Sequence, residues 1–202
     1  LGLVVSKREQ LRKEAERADE EAAINLVIES LRPDGLPDEV LEVVGAQALD
    51  HEVDRRLFVG SGIVPNFSIL KHCLARGMNL RHTLLYGNKT WDDIIFRRQI
   101  EELAAAHPDR LQVIHALSRE ANLASLNAEV RKGRVSEELI REAIPDPETA
   151  LIYTCGPALS KFDRQMAKER GEEPQPRFLE TVLAALKTIG VSDDRVNYES
   201  YG

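Results

Sequence analysis

Arg56-Leu57-Phe58-Val59-Gly60-Ser61-Gly62-Ile63-Val64-Pro65-Asn66 is the stretch on which the fold turns. A short apolar run stops at Gly60, two glycines flank a serine, and a proline follows. So short a run is too brief for a helix and suits a strand buried on both faces. Pro65 suits a first helical position, where no N–H is needed. Glycines let a phosphate approach the backbone, and a helix start presents N–H groups to an anion. Tight strand-to-helix turns also use glycine for steric reasons alone, so this motif by itself leaves both readings open.

Further along the chain the same alternation repeats. Leu80 to Tyr86, Leu111 to Leu117 and Ala150 to Thr154 are short runs rich in Leu, Ile, Val and Tyr, and Arg195 to Tyr198 suits a last strand. Helical patterns lie between them at Asn66 to Arg76, Trp91 to Ala106, Ser136 to Ala143 and Phe178 to Ile189. Gly171 to Pro176 reads as a polar turn between two helices. Strands separated by helices of this length predict right-handed crossovers. The expected fold is α/β, a doubly wound five-stranded parallel sheet with the first strand central.

Composition narrows the function classes. The chain has 202 residues, 43% apolar and 30% charged, enough for a good-sized core and against wholesale disorder. A net charge of -7 without a basic stripe argues against a nucleic-acid partner. No apolar run reaches the roughly 18 residues of a membrane span, and no signal peptide is visible. Cys73 and Cys155 lie far apart with no CxxC or Cys/His spacing. That argues against a zinc or cysteine-ligated iron–sulfur site and for a reducing, cytoplasmic compartment.

The part before Arg56 reads differently. From Ser6 to Leu31 charges alternate in sign, Ser6 and Glu9 suit a capping box, and Leu11, Ala15, Ala18, Ala22 and Leu26 form a narrow apolar stripe. A helix is expected there, either packed on its own domain or docking a partner. Pro33, Gly35 and Pro37 interrupt it before a second short helix through Val44. Residues 1–55 are therefore taken as a helical segment or linker and 56–202 as the main domain.

Chemistry-bearing residues gather at the strand ends, the side where open α/β sheets bind ligands. Tyr86-Gly87 with Asp92 to Phe96 follow the second strand, Ser118-Arg119-Glu120 the third, Cys155-Gly156-Pro157 the fourth and Glu199-Ser200-Tyr201 the fifth. With the Gly60 to Pro65 loop, these pieces in this order resemble the NAD(P)-binding domain of the ferredoxin–NADP reductase family of flavin-linked reductases. Ser61 and Val64 stand where that family more often has threonine.

The resemblance implies roles by position. Gly60, Ser61, Gly62 and Val64 would border the pyrophosphate and nicotinamide end, with Pro65 opening the helix. Tyr86 and Gly87 would belong to the cofactor-binding strand ends. Cys155 would lie beside nicotinamide C4, with Gly156 and Pro157 allowing close approach. Ser118 and Arg119 would meet the adenosine ribose, and the Arg119 fork suits a 2′-phosphate. Arg131, Lys132 and Arg134 add charge nearby, which favours NADP with NAD as the other choice. Glu199 would stand near FAD and the acceptor side, and Tyr201 would stack on the isoalloxazine.

The implied activity is hydride transfer from NAD(P)H to FAD, with electrons passed on to an iron–sulfur protein or oxygenase component. Family members hold FAD with a barrel bearing an Arg-x-Tyr-Ser/Thr motif, and no such stretch occurs here. Either a barrel precedes Leu1 or the protein has dispensed with it. The competing expectation is a non-catalytic nucleotide-binding or interaction domain.

Overall fold

A computed structural model describes residues 55–75 and 80–201, the ring of Tyr201 excepted. The chain divides at Val43/Val44, and the described residues all belong to the second unit. The helices expected at Ser6 to Leu31 and after Pro37 lie outside the described residues, as does Arg76.

The strands are β1 (Arg55–Gly60), β2 (Arg81–Asn88), β3 (Leu111–Leu117), β4 (Val130–Lys132), β5 (Ala150–Pro157) and β6 (Val196–Tyr201). They form one sheet in the order β4-β3-β2-β1-β5-β6, every pair parallel. The helices are α1 (Val64–Ala75), α2 (Arg97–Ala106), α3 (Glu137–Ala143), α4 (Lys161–Arg170) and α5 (Phe178–Thr188). β1 is central, as expected, because the first crossovers run to one side and β5 returns to the other. That reversal beside β1 is a topological switch point.

Alternation along the strands builds two layers. Leu57, Val59, Leu85, Ile114, Ala116 and Ile152 point to the face covered by α3 and α5, where Leu139, Ile140, Val182 and Leu186 complete the core. Arg56 and Phe58 point to the opposite face. There Phe58 stacks on Tyr153 at 5.3 Å, and Arg56 Nη1 donates to Cys73 Sγ of α1 at 2.6 Å. β1 is buried throughout apart from half-buried Arg55, which is why it reads as a run and not as an alternation.

Three details differ from the sequence expectation. The sheet has six strands, because Val130–Lys132 pairs with the end of β3. So short an edge strand in a polar stretch carries no periodicity. The expected helix from Trp91 to Ala106 is broken: a single turn at Trp91–Asp93 precedes α2, and Phe96 adopts a left-handed φ of 58°. The break lets Ile94 and Phe96 both bury, with Phe96 stacked on Phe67 at 5.2 Å. Finally, α4, implied from sequence only as the helix before the Gly171 turn, has a mostly polar sequence that gives it no bounds. Ser160 and Asp163 cap it reciprocally, and Gly171 ends it at φ 67°.

Candidate nucleotide-binding site

Register, more than sequence proximity, assembles the site. His115, Tyr86, Gly60, Cys155 and Glu199 occupy one row across β3, β2, β1, β5 and β6. Gly156 pairs with Ser200 and Pro157 with Tyr201, one and two residues further on. The expected residues from four separate motifs thus meet at the carboxyl ends of neighbouring strands. Tyr201 ends β6, and its ring lies outside the described part.

The Gly60 turn is held by hydrogen bonds. Ser61 and Gly62 both donate their N–H groups to the Cys155 carbonyl, at 3.2 and 3.1 Å. Asn66 Nδ2 reaches back to the Val59 carbonyl at 3.1 Å. A Cβ on Gly60 would stand 2.8 Å from Asn66 Nδ2 and from the Gly62 carbonyl oxygen, and 3.0 Å from that of Cys155. Glycine here is a demand of the turn itself. Since the Ser61 and Gly62 N–H groups are engaged, an anion would meet the first turn of α1. There no backbone carbonyl among the described residues takes the N–H of Ile63, Val64 or Asn66. Pro65 sits in that turn without losing a bond.

At the β5 exit, Cys155 is 5% exposed. Burial and, second, the neighbouring Glu199 carboxylate push its thiol up to about 11, so it stays protonated at neutral pH. Its sulfur is polarisable, and among the described residues no basic group shifts it towards a thiolate. Gly156 is glycine for a reason absent from the motif: a Cβ there would fall 2.2 Å from Cδ1 of Phe178. Phe178 also approaches Gly87, where a Cβ would stand 3.9 Å from its ring and 3.3 Å from Val135. The contacts of Gly156 and Gly87 are thus to packing neighbours. Tyr86 is fully buried, its ring 6.1 Å from that of His115, so it serves as floor beneath the strand ends.

At the β3 exit the ladder continues beyond the strands. Ser118 N–H donates to the Asn88 carbonyl at 3.0 Å, and Arg119 N–H to that of Lys89 at 2.7 Å. The Arg119 side chain is exposed. Glu120 does not pair with it: its carboxylate accepts from the backbone N–H groups of Trp91, Ala121 and Asn122, which hold it below the usual carboxylate range. Arg131 is engaged by Glu129 and Glu142, so its charge is matched locally and the 2′-phosphate expectation falls mainly on Arg119. Asn66 and Phe178 shape the site without a role assigned from sequence, and Glu120, named there only as part of the Ser118-Arg119-Glu120 motif, holds the Trp91 backbone. Asn66 directly after Gly-Ser-Gly-Ile-Val-Pro was a legible signal; Phe178, 22 residues beyond Gly156 in sequence, was not.

Among the described residues no group of His, Cys, Asp and Glu side chains is arranged to hold a metal, and no helix is long and apolar enough to cross a membrane. The glycine turn tight against β5 and the open helix start at a switch point fit a dinucleotide.

Residues 58–165, over half of the 202-residue chain, match the family model of the oxidoreductase NAD-binding domain. The chain belongs to that family, the NAD(P)-binding domains of flavin-linked reductases of ferredoxin–NADP reductase type. It is 29% identical over 142 residues to NADH-cytochrome b5 reductase 2 of Saccharomyces cerevisiae, covering 69% of this chain and 45% of that protein. It is 31% identical over 100 residues to the human protein of that name, covering 48% and 35%. Human Ncb5or in its CS-b5R domains superposes with a TM-score of 0.53 at 25% identity, covering 73% of this chain and 37% of that one. The flavohem-like FAD/NAD-binding domain of a Vibrio cholerae nitric oxide dioxygenase superposes at 0.55 and 22% identity, covering 76% and 53%, and shows the shared fold. The chain thus spans less than half the length of these curated relatives.

Proposed function

We propose that the protein is the pyridine-nucleotide half of a flavin-linked reductase, with NAD(P)H lying across the strand ends. The observation that carries this reading is the row that sets the Gly60 turn, Cys155 and Glu199 side by side at the switch point. The nucleotide and FAD supply the hydride chemistry when bound. The chain's own residues orient: α1's first turn takes the pyrophosphate, Arg119 the adenosine end, and Cys155 the nicotinamide. Glu199 on β6 stands on the flavin side, with Tyr201 two residues further along that strand. Electrons leave singly to an acceptor protein. The names of the relatives in yeast and man favour a haem protein such as cytochrome b5 over the iron–sulfur protein expected from sequence. Its two free, buried cysteines accord with a cytoplasmic placement.

The test is calorimetric titration of NADH and NADPH into the protein, followed by stopped-flow bleaching of the flavin in FAD-loaded protein. Saturable binding with flavin reduction supports the reductase. Binding without reduction in the presence of FAD selects the nucleotide-binding module instead.

Two substitutions sharpen it. Arg119→Ala should weaken NADPH by about 1–3 kcal/mol, the value of a charge-assisted hydrogen bond, and NADH far less. Equal losses for both nucleotides would remove Arg119 from the 2′-position. Cys155→Ser should retain nucleotide affinity while slowing flavin reduction, because hydride transfer depends steeply on donor–acceptor geometry. An unchanged reduction rate would leave Cys155 as a packing residue.

A further inference from the structure

We propose that Glu180 is a positioning residue for the loop that leaves β5, holding the nicotinamide end of the site in place through the backbone of Leu159. The role rests on the nucleotide reading above and adds a residue to it.

In a capping box the third residue of a helix reaches back to the N–H of its own cap. Glu180 does so in α5, where its Oε2 accepts from the Arg177 N–H at 3.1 Å. Its other oxygen leaves the helix: Oε1 accepts from the N–H of Leu159 at 2.9 Å, 21 residues back in the chain. One half-buried carboxylate thus joins the start of α5 to the segment between β5 and α4. That segment, Ala158 to Ser160, follows directly on Cys155-Gly156-Pro157. No backbone carbonyl among the described residues takes the Leu159 N–H, so Glu180 is what ties it.

The same turn of α5 meets the loop a second time, where the Phe178 ring lies against Gly156. A ring in van der Waals contact resists approach but not withdrawal. The hydrogen bond from Leu159 to a carboxylate is charge-assisted and resists withdrawal. Together the two contacts fix the loop in both directions. Asp163 braces the flank, accepting from the Ser160 N–H at 2.9 Å and from Arg177 Nη2 at 2.8 Å. The Arg177 side chain is 44% exposed, so that ion pair adds little by itself. The Glu180 bond is the one that bears on the β5 exit.

Two buried free cysteines read this out without any cofactor. Cys155 pairs with Gly60 at the end of β1, whereas Cys73 accepts from Arg56 near its start. In the full chain, Glu180→Ala should speed iodoacetamide alkylation of Cys155 about tenfold or more, by local opening, and leave Cys73 unchanged. Peptide mapping by mass spectrometry separates the two sites. In FAD-loaded protein the limiting rate of flavin reduction should fall about 10- to 100-fold, while calorimetric dissociation constants for NADH and NADPH change less than about threefold. Glu180→Gln keeps one carbonyl oxygen for two N–H groups and should fall between alanine and wild type on both readings. Should circular dichroism show that the alanine variant does not fold, the glutamine variant decides by the same criteria. Equal acceleration at both cysteines would make Glu180 a residue of general stability and overturn the positioning role. An unchanged Cys155 rate would overturn it too, as would an unchanged limiting rate of reduction. Wild-type protein that binds neither nucleotide, or reduces no flavin, overturns the reductase reading alone, and the cysteine rates then decide whether Glu180 holds the loop.

Discussion

Acidification from pH 6.5 to about 4 should cost the folded chain about 3 kcal/mol for each of two buried histidines, His82 and His115. Burial is the main cause in both, holding their pKa values down at about 4. Positive neighbours add to it: Arg56, Arg110 and His107 around His82, and Arg97 near His115. Neither ring nitrogen of His82 has a hydrogen-bond partner, so nothing there welcomes a proton. The unfolded chain takes up protons near 6.5 while the folded one does not. Stability is therefore full above 6.5, falls as pH drops towards 4, and flattens below. The same sign applied to Glu120, Glu142 and Asp163, whose pKa values are lowered, places their losses below 4.5. Denaturant unfolding at steps between pH 7.5 and 4 measures the slope. His82→Leu and His115→Leu should each remove about half of it. Parallel curves for wild type and the double variant would refute the assignment.

The second large effect separates two glycines that look alike in sequence. Gly60→Ala drives a Cβ against the backbone oxygens of Gly62 and Cys155, which cannot move without rebuilding the turn. Overpacking of this kind costs about 1–3 kcal/mol, and a turn displaced by an ångström should lower flavin reduction about 10²-fold. No second-site change should repair it. The nearest atoms that Gly156→Ala meets all belong to the ring of Phe178. It should destabilise by a similar amount, but Phe178→Ala in the same chain should restore much of the loss, a coupling that a double-mutant cycle reads directly. Rescue of Gly60→Ala by Asn66→Ala would show that the backbone oxygens are not the obstacle. Additive effects of Gly156→Ala and Phe178→Ala would show that the ring is not what requires glycine there.

Much of this was legible in the chain alone. Short apolar runs ending in Gly60, Tyr86-Gly87, Ser118 and Cys155-Gly156, each followed by a turn, specify a parallel sheet, since β-branched and aromatic runs separated by helices permit little else. The motif order placed the ligand side and the family. Local periodicity says nothing, however, about a three-residue edge strand such as β4, or about Phe96 turning left-handed to stack on Phe67. Those features are held by partners far away in sequence.

The amino-acid sequence by itself determined the fold class, the strand ends that carry the site and the membership of an NAD-binding family, because those follow from local patterns. Only the tertiary structure decided what each glycine is for, and which donors of the phosphate turn are already engaged. It also decided that Glu120 holds Trp91 instead of pairing with Arg119. The physical reason is register: Cys155 meets Gly60 and Glu199 through ladders between strands distant in sequence, and Phe178 reaches Gly156 through the packing of α5 on β5. A contact made across the sheet leaves no periodic trace along the chain.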